Sequence, residues 1–218
     1  MGRSFTETWD KWLREGILTS RNALASRWLD TYLTSPLWRF ALGPGSCGPN
    51  TVVGVLMPSV DAVGRYFPLM VGRELDPGLD LGGFLPRAFA WYQAVEDLAL
   101  ATLQPKSPLE LLDEPLALEV PPPRGISLAT EVPDVPCQHI VLDGASDPAE
   151  FCRNRLDQGS HRQTLWWTAG SAHITPCLLI CGGMPAADKF TAMLDGTWRQ
   201  HGWTMTTLAA STRGDCPG

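Results

Sequence analysis

Residues 35–71, SPLWRFALGPGSCGPNTVVGVLMPSVDAVGRYFPLMV, constrain the fold of this chain more than any other stretch. Three apolar runs with strand character follow one another there, at 37–42, 52–57 and 66–71. A turn dense in Gly and Pro separates the first two, and the short, polar-flecked PSVDAVGR separates the second and third. β-Prone runs joined by turn residues predict three strands in series. They are expected to form the middle of a sheet that the remaining elements cover or extend.

The segment before them reads as helical. Phe5, Trp9, Trp12 and Leu13 repeat at helical spacing, which predicts a helix over 5–17 with Gly16 as its stop. Ser4 and Glu7 have the spacing of a capping box. A second helix is expected over 20–33, with Leu24, Trp28, Leu29 and Tyr32 as its apolar stripe and Ser35-Pro36 as its end.

Beyond the strands, residues 73–83 read as a Gly- and Asp-rich loop. A long helix is expected from near Pro86 to Leu103, with Phe89, Tyr92, Val95, Ala99 and Leu103 as apolar positions. A short helix is expected over 109–112. Residues 114–136 carry six prolines and predict an irregular surface excursion. Strands are then expected over 139–142, 163–168 and 176–181, and helices over 147–156 and 185–194. Asp195-Gly196 should turn the chain, and 198–203 should close it. Alternating strands and helices without internal repeats indicate a layered α/β fold, taken as one domain over 1–218.

A chain of 218 residues can bury a large core. Its nine tryptophans run from Trp9 to Trp203, a spread that suits core packing and not one aromatic cage. The net charge is −6 and no Lys/Arg run occurs, which disfavours a nucleic-acid footprint. No apolar run approaches the roughly 20 residues that span a bilayer, and MGRSFTETWDKW lacks the apolar core of a signal peptide. The expectation is a cytoplasmic protein without membrane insertion, whose six cysteines are reduced. Met1-Gly2-Arg3-Ser4-Phe5-Thr6 fits a myristoylation pattern, but the capping box explains the same letters.

Few constellations carry chemistry. Gly43-Pro44-Gly45-Ser46-Cys47-Gly48 matches G-x-G-x-x-G, yet the β-prone Thr51-Val52-Val53 follows where a dinucleotide fold needs a helix N-terminus. That stretch is expected to be a hairpin turn. His173, Cys177 and Cys181 share a spacing of four but lack a second ligand pair, and 177–180 reads as a buried strand. No nucleophile elbow, Walker A, zincin or kinase motif occurs, and Ser171 near His173 does not make a triad. No cofactor, metal or catalytic set is therefore expected. The polar cluster of interest is Ser59, Asp61 and Arg65 between two strands, with Arg39 on the neighbouring strand. Such a cluster serves either as a site for an anion or a partner's side chain, or as an ion pair fastening the connection.

The segments WDKWL, WLDTYLTSPLWRFAL, GVLMPSVDAVGRYFPL, LWWTAGS and LDGTWRQHGW resemble the TagF (ImpM) family of type VI secretion accessory proteins. PSVD-x-VGR-x-FPL is the most specific of these. The resemblance implies a three-layer α/β/α sandwich around a mixed central sheet, without catalytic residues. In that family a glycine-rich strand usually precedes the first helix. The segment is missing here, which implies a later start or one strand fewer. The resemblance further implies a post-translational repressor that binds an FHA-domain scaffold protein of the apparatus. The polar cluster read above, Arg39, Ser59, Asp61 and Arg65, then supplies the candidate partner-binding residues. The alternatives are a small-molecule or nucleotide-binding enzyme using the 58–65 loop, and an assembly chaperone.

Overall fold

The computed structural model describes residues 1–61, 63–75, 84, 87–103, 137–141 and 162–207. The helices expected over 109–112 and 147–156 and the Pro-rich 114–136 lie outside them.

Helix α1 (Arg3–Leu24) runs straight through Gly16. A Cβ at that position would sit 2.7 Å from the Phe190 ring on the helix Ala187–Asp195. Gly16 therefore permits a close helix–helix approach and does not stop the helix, although glycine costs a helix interior about 1 kcal/mol relative to alanine. The break comes instead at Ala25, with φ 49° and a 3₁₀ turn over Ala25–Arg27, ahead of α2 (Trp28–Leu33). The capping box does not form either. Gly2 is the N-cap, without a side-chain cap bond, and Glu7 pairs with Arg3 at 2.8 Å. The Gly2 amide donates instead to Glu74 at 3.0 Å.

Among the described residues seven strands make one open sheet: β1 (Trp38–Leu42), β2 (Thr51–Met57), β3 (Leu69–Leu75), β4 (Gln138–Val141), β5 (Thr164–Thr168), β6 (Cys177–Cys181) and β7 (Thr204–Thr207). Their order is β3-β2-β1-β5-β6-β4-β7. The β4–β7 pair is parallel and the other pairs are antiparallel, so the sheet is mixed. The first three strands do pair in series, with Gly54 opposite both Phe40 and Gly72. They form one wing, however, and not the middle. The central strand is β5, whose Trp166 lies opposite Phe40. That pairing joins residues far apart in sequence, and no local pattern specifies it.

Boundaries shift for similar reasons. β3 starts at Leu69, not Tyr66, because Pro68 has no N–H to give a ladder and Tyr66 instead forms a lone bridge with Val60. It extends through Arg73 and Glu74 to Leu75, matching β2 residue for residue back to Thr51, where a loop was expected. The chain does not close at Trp203 either. A 3₁₀ turn over Trp198–His201 leads into β7, four residues long and too short to stand out in sequence. As expected, the Gly43–Gly48 stretch is the turn of the β1–β2 hairpin, with Gly45 at φ 82°.

Helices cover both faces, giving the α/β/α layering. On one face α1, α2 and α4 (Ala187–Asp195) bury Trp9, Trp12, Trp28 and Phe190 against Phe40, Trp166 and Leu179. On the other, α3 (Phe89–Ala101) buries Trp91, Tyr92 and Val95 against Val53, Val55 and Leu165. The α3 stripe is rotated from the expected one, since Trp91 and Leu98 are buried while Phe89 and Leu103 are exposed. Seven of the nine tryptophans lie in the first cluster. Several join layers through their indole N–H as well: Trp12 donates to the Pro185 carbonyl (2.7 Å), Trp38 to Met193 (3.1 Å) and Trp203 to Lys189 (3.2 Å). These groups carry apolar area and a satisfied donor together.

Other buried polar side chains lack such a partner among the described residues, His139 among them. His139 on β4 is 1% exposed, stacks on Trp198 with centroids 4.2 Å apart, and neither ring nitrogen has a hydrogen bond. Burial pushes its pKa down to about 4. In the unfolded chain the ring protonates near 6.5, so below that pH the unfolded state takes up the proton first. Stability is expected to be unaffected by this residue above about pH 6.5 and to fall between there and about pH 4. Allowing for solvent screening, the loss is on the order of 1–3 kcal/mol. Urea titrations across that range should show the slope, and His139→Phe should remove it. An unchanged slope in the variant would assign the acid sensitivity elsewhere.

Candidate functional site

The 58–68 connection between β2 and β3 is bounded by Pro58 and Pro68, and it is held from two sides. From inside, Tyr32 of α2, fully buried, donates its hydroxyl to the Ser59 carbonyl (2.9 Å) and accepts from the Ser59 amide (3.0 Å). Burial raises the Tyr32 hydroxyl to about 12, so it stays a neutral donor. The rings of Trp28 and Tyr32 meet Tyr66 edge-on at 5.9 and 6.2 Å, which locks α2 to the loop.

From outside, the turn closes on Asp61. Its Oδ1 accepts the amides of Val63 (3.0 Å) and Arg65 (2.8 Å), and its Oδ2 accepts the Arg65 Nε–H (2.6 Å). The Arg65 amide and then its guanidinium hold the carboxyl below the usual carboxylate range. Gly64, at φ 80°, completes the reversal by donating to the Asp61 carbonyl at 2.9 Å. The Asp61–Arg65 pair therefore fastens the connection.

Arg39 does not join this group. It alternates with Phe40 along β1, so it faces the α3 side, where it forms an ion pair with Glu96 and lies over the Phe89 ring at 5.7 Å. Both charged side chains are largely covered there. The structure thus brings together Ser59, Asp61 and Arg65 and sends Arg39 to the opposite face of the sheet. His173, Cys177 and Cys181 are likewise kept apart. The two cysteines are buried in the core, whereas His173 is exposed on the β5–β6 connection. Among the described residues no group of three His, Cys, Asp or Glu is arranged to hold a metal. Ser171 accepts the backbone amide of His173 at 3.4 Å, a turn contact that involves no imidazole.

Sequence reasoning missed what surrounds the loop. Val63 is 75% exposed at its tip, Val60 and Phe67 project beside it, and Leu33 of α2 is 47% exposed. Leu29, expected in the buried stripe of α2, is also exposed. Leu29 and Leu33 are one helical turn apart, and together with Val63 they offered a readable signal of apolar residues outside the stripe. The apolar groove beneath, lined by Tyr32, Pro36, Met57, Pro58, Pro68 and Met193, holds about 20 Å³. Ligand pockets run to several hundred Å³.

The TagF N-terminal domain family, type VI secretion system-associated, matches residues 1–118. The chain belongs to the TagF family. It is thus a type VI secretion system-associated protein. The crystal structure of PA0076 from Pseudomonas aeruginosa PAO1 is similar to this TagF-family chain, with 36% identity over 90% of this chain and 86% of that one, and a TM-score of 0.71. No curated protein matches. The family match ends before β4, yet strands on either side of that limit share one sheet through the β1–β5 pair. Among the described residues, no helix of this TagF-family chain is long and apolar enough to cross a membrane.

Proposed function

We propose that this TagF-family chain is a non-enzymatic negative regulator of type VI secretion that binds a cytoplasmic scaffold component of the apparatus, an FHA-domain protein, through the 58–67 connection and the exposed side of α2. The observation that carries this reading is the pairing of a rigid mount with an apolar tip. Tyr32 and the Asp61–Arg65 pair fix the loop, Val63 and Phe67 stand exposed on it, and Leu33 is exposed on α2, the helix that anchors it. Preorganised apolar residues in a polar surround are what a protein partner selects, because little ordering entropy is lost on docking. The narrow groove below the loop does not favour the small-molecule or nucleotide reading.

In this reading Arg65 supports the surface and Val63 contacts the partner. Val63→Asp is expected to weaken scaffold capture in a pull-down about tenfold or more, with the melting temperature unchanged, since the side chain touches solvent. Undiminished capture by Val63→Asp would remove this surface from the proposal. In cells with an active type VI system, deleting the gene should raise secretion without altering transcript levels. Lowered secretion would instead mean an assembly chaperone, and unchanged secretion would refute both.

A further inference from the structure

The antiparallel register of β4 and β6 sets Gln138 opposite Ile180, which carries Cys137 opposite Cys181 at the next position. Both residues are thiols, and the two side chains are within hydrogen-bonding reach of each other. Cys181 is buried (1% exposed) among the core residues of α1 and α4, whereas Cys137 is partly accessible at the start of β4. Adjacent cross-strand positions bring Cβ atoms to about 4.5–5.5 Å, close to the span a disulfide bridges. Cys177, four residues before Cys181 on the same strand, lies opposite Val141 and is not part of the pair. Among the described residues no third ligand completes a metal site there. Two thiols directly opposite on neighbouring strands suit oxidation to a disulfide.

We propose that Cys137 and Cys181 are an oxidation site, closing to a disulfide across β4 and β6 when the protein meets a small-molecule disulfide such as oxidised glutathione. The accessible Cys137, as thiolate, attacks one sulfur of the glutathione disulfide and releases one glutathione thiolate. A mixed disulfide remains on Cys137. Cys181 then gives up its proton to solvent, attacks the Cys137 sulfur and expels the second glutathione. Two protein thiols are oxidised and one glutathione disulfide is reduced to two thiols. Burial holds the Cys181 thiol well above its ordinary pKa, so the second step is slow and quickens with rising pH. The bond would tie the start of β4, where the Cys137 carbonyl also accepts the amide of Thr204 in β7, to the core strand β6.

The test uses the full chain with oxidised glutathione at rising pH, followed by peptide mapping without reduction. A Cys137–Cys181 cross-link is expected, with a rise in melting temperature of about 5 °C or more that dithiothreitol reverses. Cys137→Ser, at the partly accessible position, should melt like the reduced parent and show no such rise. Cys181→Ala serves as a second variant, in which Cys137 should accumulate the mixed disulfide and stop there. Stable glutathione on Cys137 of the parent chain, or a cross-link through Cys152 or Cys216 instead, would overturn the proposal.

Discussion

Trp166→Ala is expected to destabilise the protein by about 3–5 kcal/mol, lowering the melting temperature by roughly 10–15 °C. Trp166 sits on β5, the central strand, with no exposed surface. Its ring meets Phe40 at 5.3 Å, Trp12 at 5.3 Å and Trp9 at 6.1 Å, so one side chain supports both the β1–β5 junction and the seat of α1. Truncation would leave a cavity that neither a strand nor a long helix can collapse to fill, and the cavity adds to the lost transfer energy. The indole N–H of Trp166 is buried without a partner, so Trp166→Phe forfeits no hydrogen bond and should cost much less. Trp167→Ala is the control, because its side chain faces α3 and is only partly buried. Urea denaturation followed by far-UV circular dichroism would rank the three. A Trp166→Ala midpoint no lower than that of Trp167→Ala would mean that the cluster does not anchor α1.

Gly54→Ala should be nearly as damaging, about 3 kcal/mol, although it adds one methyl group. Gly54 lies in β2 directly opposite Gly72. A Cβ there would meet the Val71 carbonyl oxygen at 2.5 Å, the Gly72 Cα at 2.7 Å and the Phe40 ring at 2.9 Å. Two of those contacts are backbone, so relief requires β2 and β3 to separate. The usual gain on replacing a strand glycine, roughly 0.5–1 kcal/mol, cannot offset that. Gly64 gives the contrast. Among the described residues no atom lies within 4 Å of a Cβ built there, and its φ of 80° is the obstacle. Gly64→Ala should cost about 1–2 kcal/mol of strain, and Gly64→Asn less. Thermal melts of the three variants decide the point. A Gly54→Ala protein as stable as its parent would show that the strands relax.

How much was legible depended on the range of the forces involved. The β1–β2 hairpin was readable because Gly and Pro between two β-prone runs act within a few residues. The amphipathic character of α1 was readable because Phe5, Trp9 and Trp12 repeat on one face. Where a residue answers to a distant neighbour, local reading failed. Gly16 looked like a helix stop and serves Phe190, some 170 residues away in sequence. The candidate site divides in the same way. Asp61 and Arg65 are four apart, and their pairing could be anticipated from the spacing of the turn. Arg39 seemed to belong with them, because strand adjacency was visible and strand facing was not. One residue of alternation sends it to Glu96 on the other face. Nothing in the letters around Ser59 named Tyr32 as its anchor, 27 positions earlier.

The sequence by itself determined that residues 35–71 hold strands in series, that the glycines at 43–48 turn a hairpin, and that most of the tryptophans go inside. Those follow from propensity, turn chemistry and hydrophobicity, which each short segment carries alone. Only the tertiary structure decided that the three strands form a wing and not the centre. β1 has two edges, and its free one is taken by Trp166 and Trp167 after some 120 residues of intervening chain, a choice made by the fit of Trp9, Trp12 and Phe40 around a single indole.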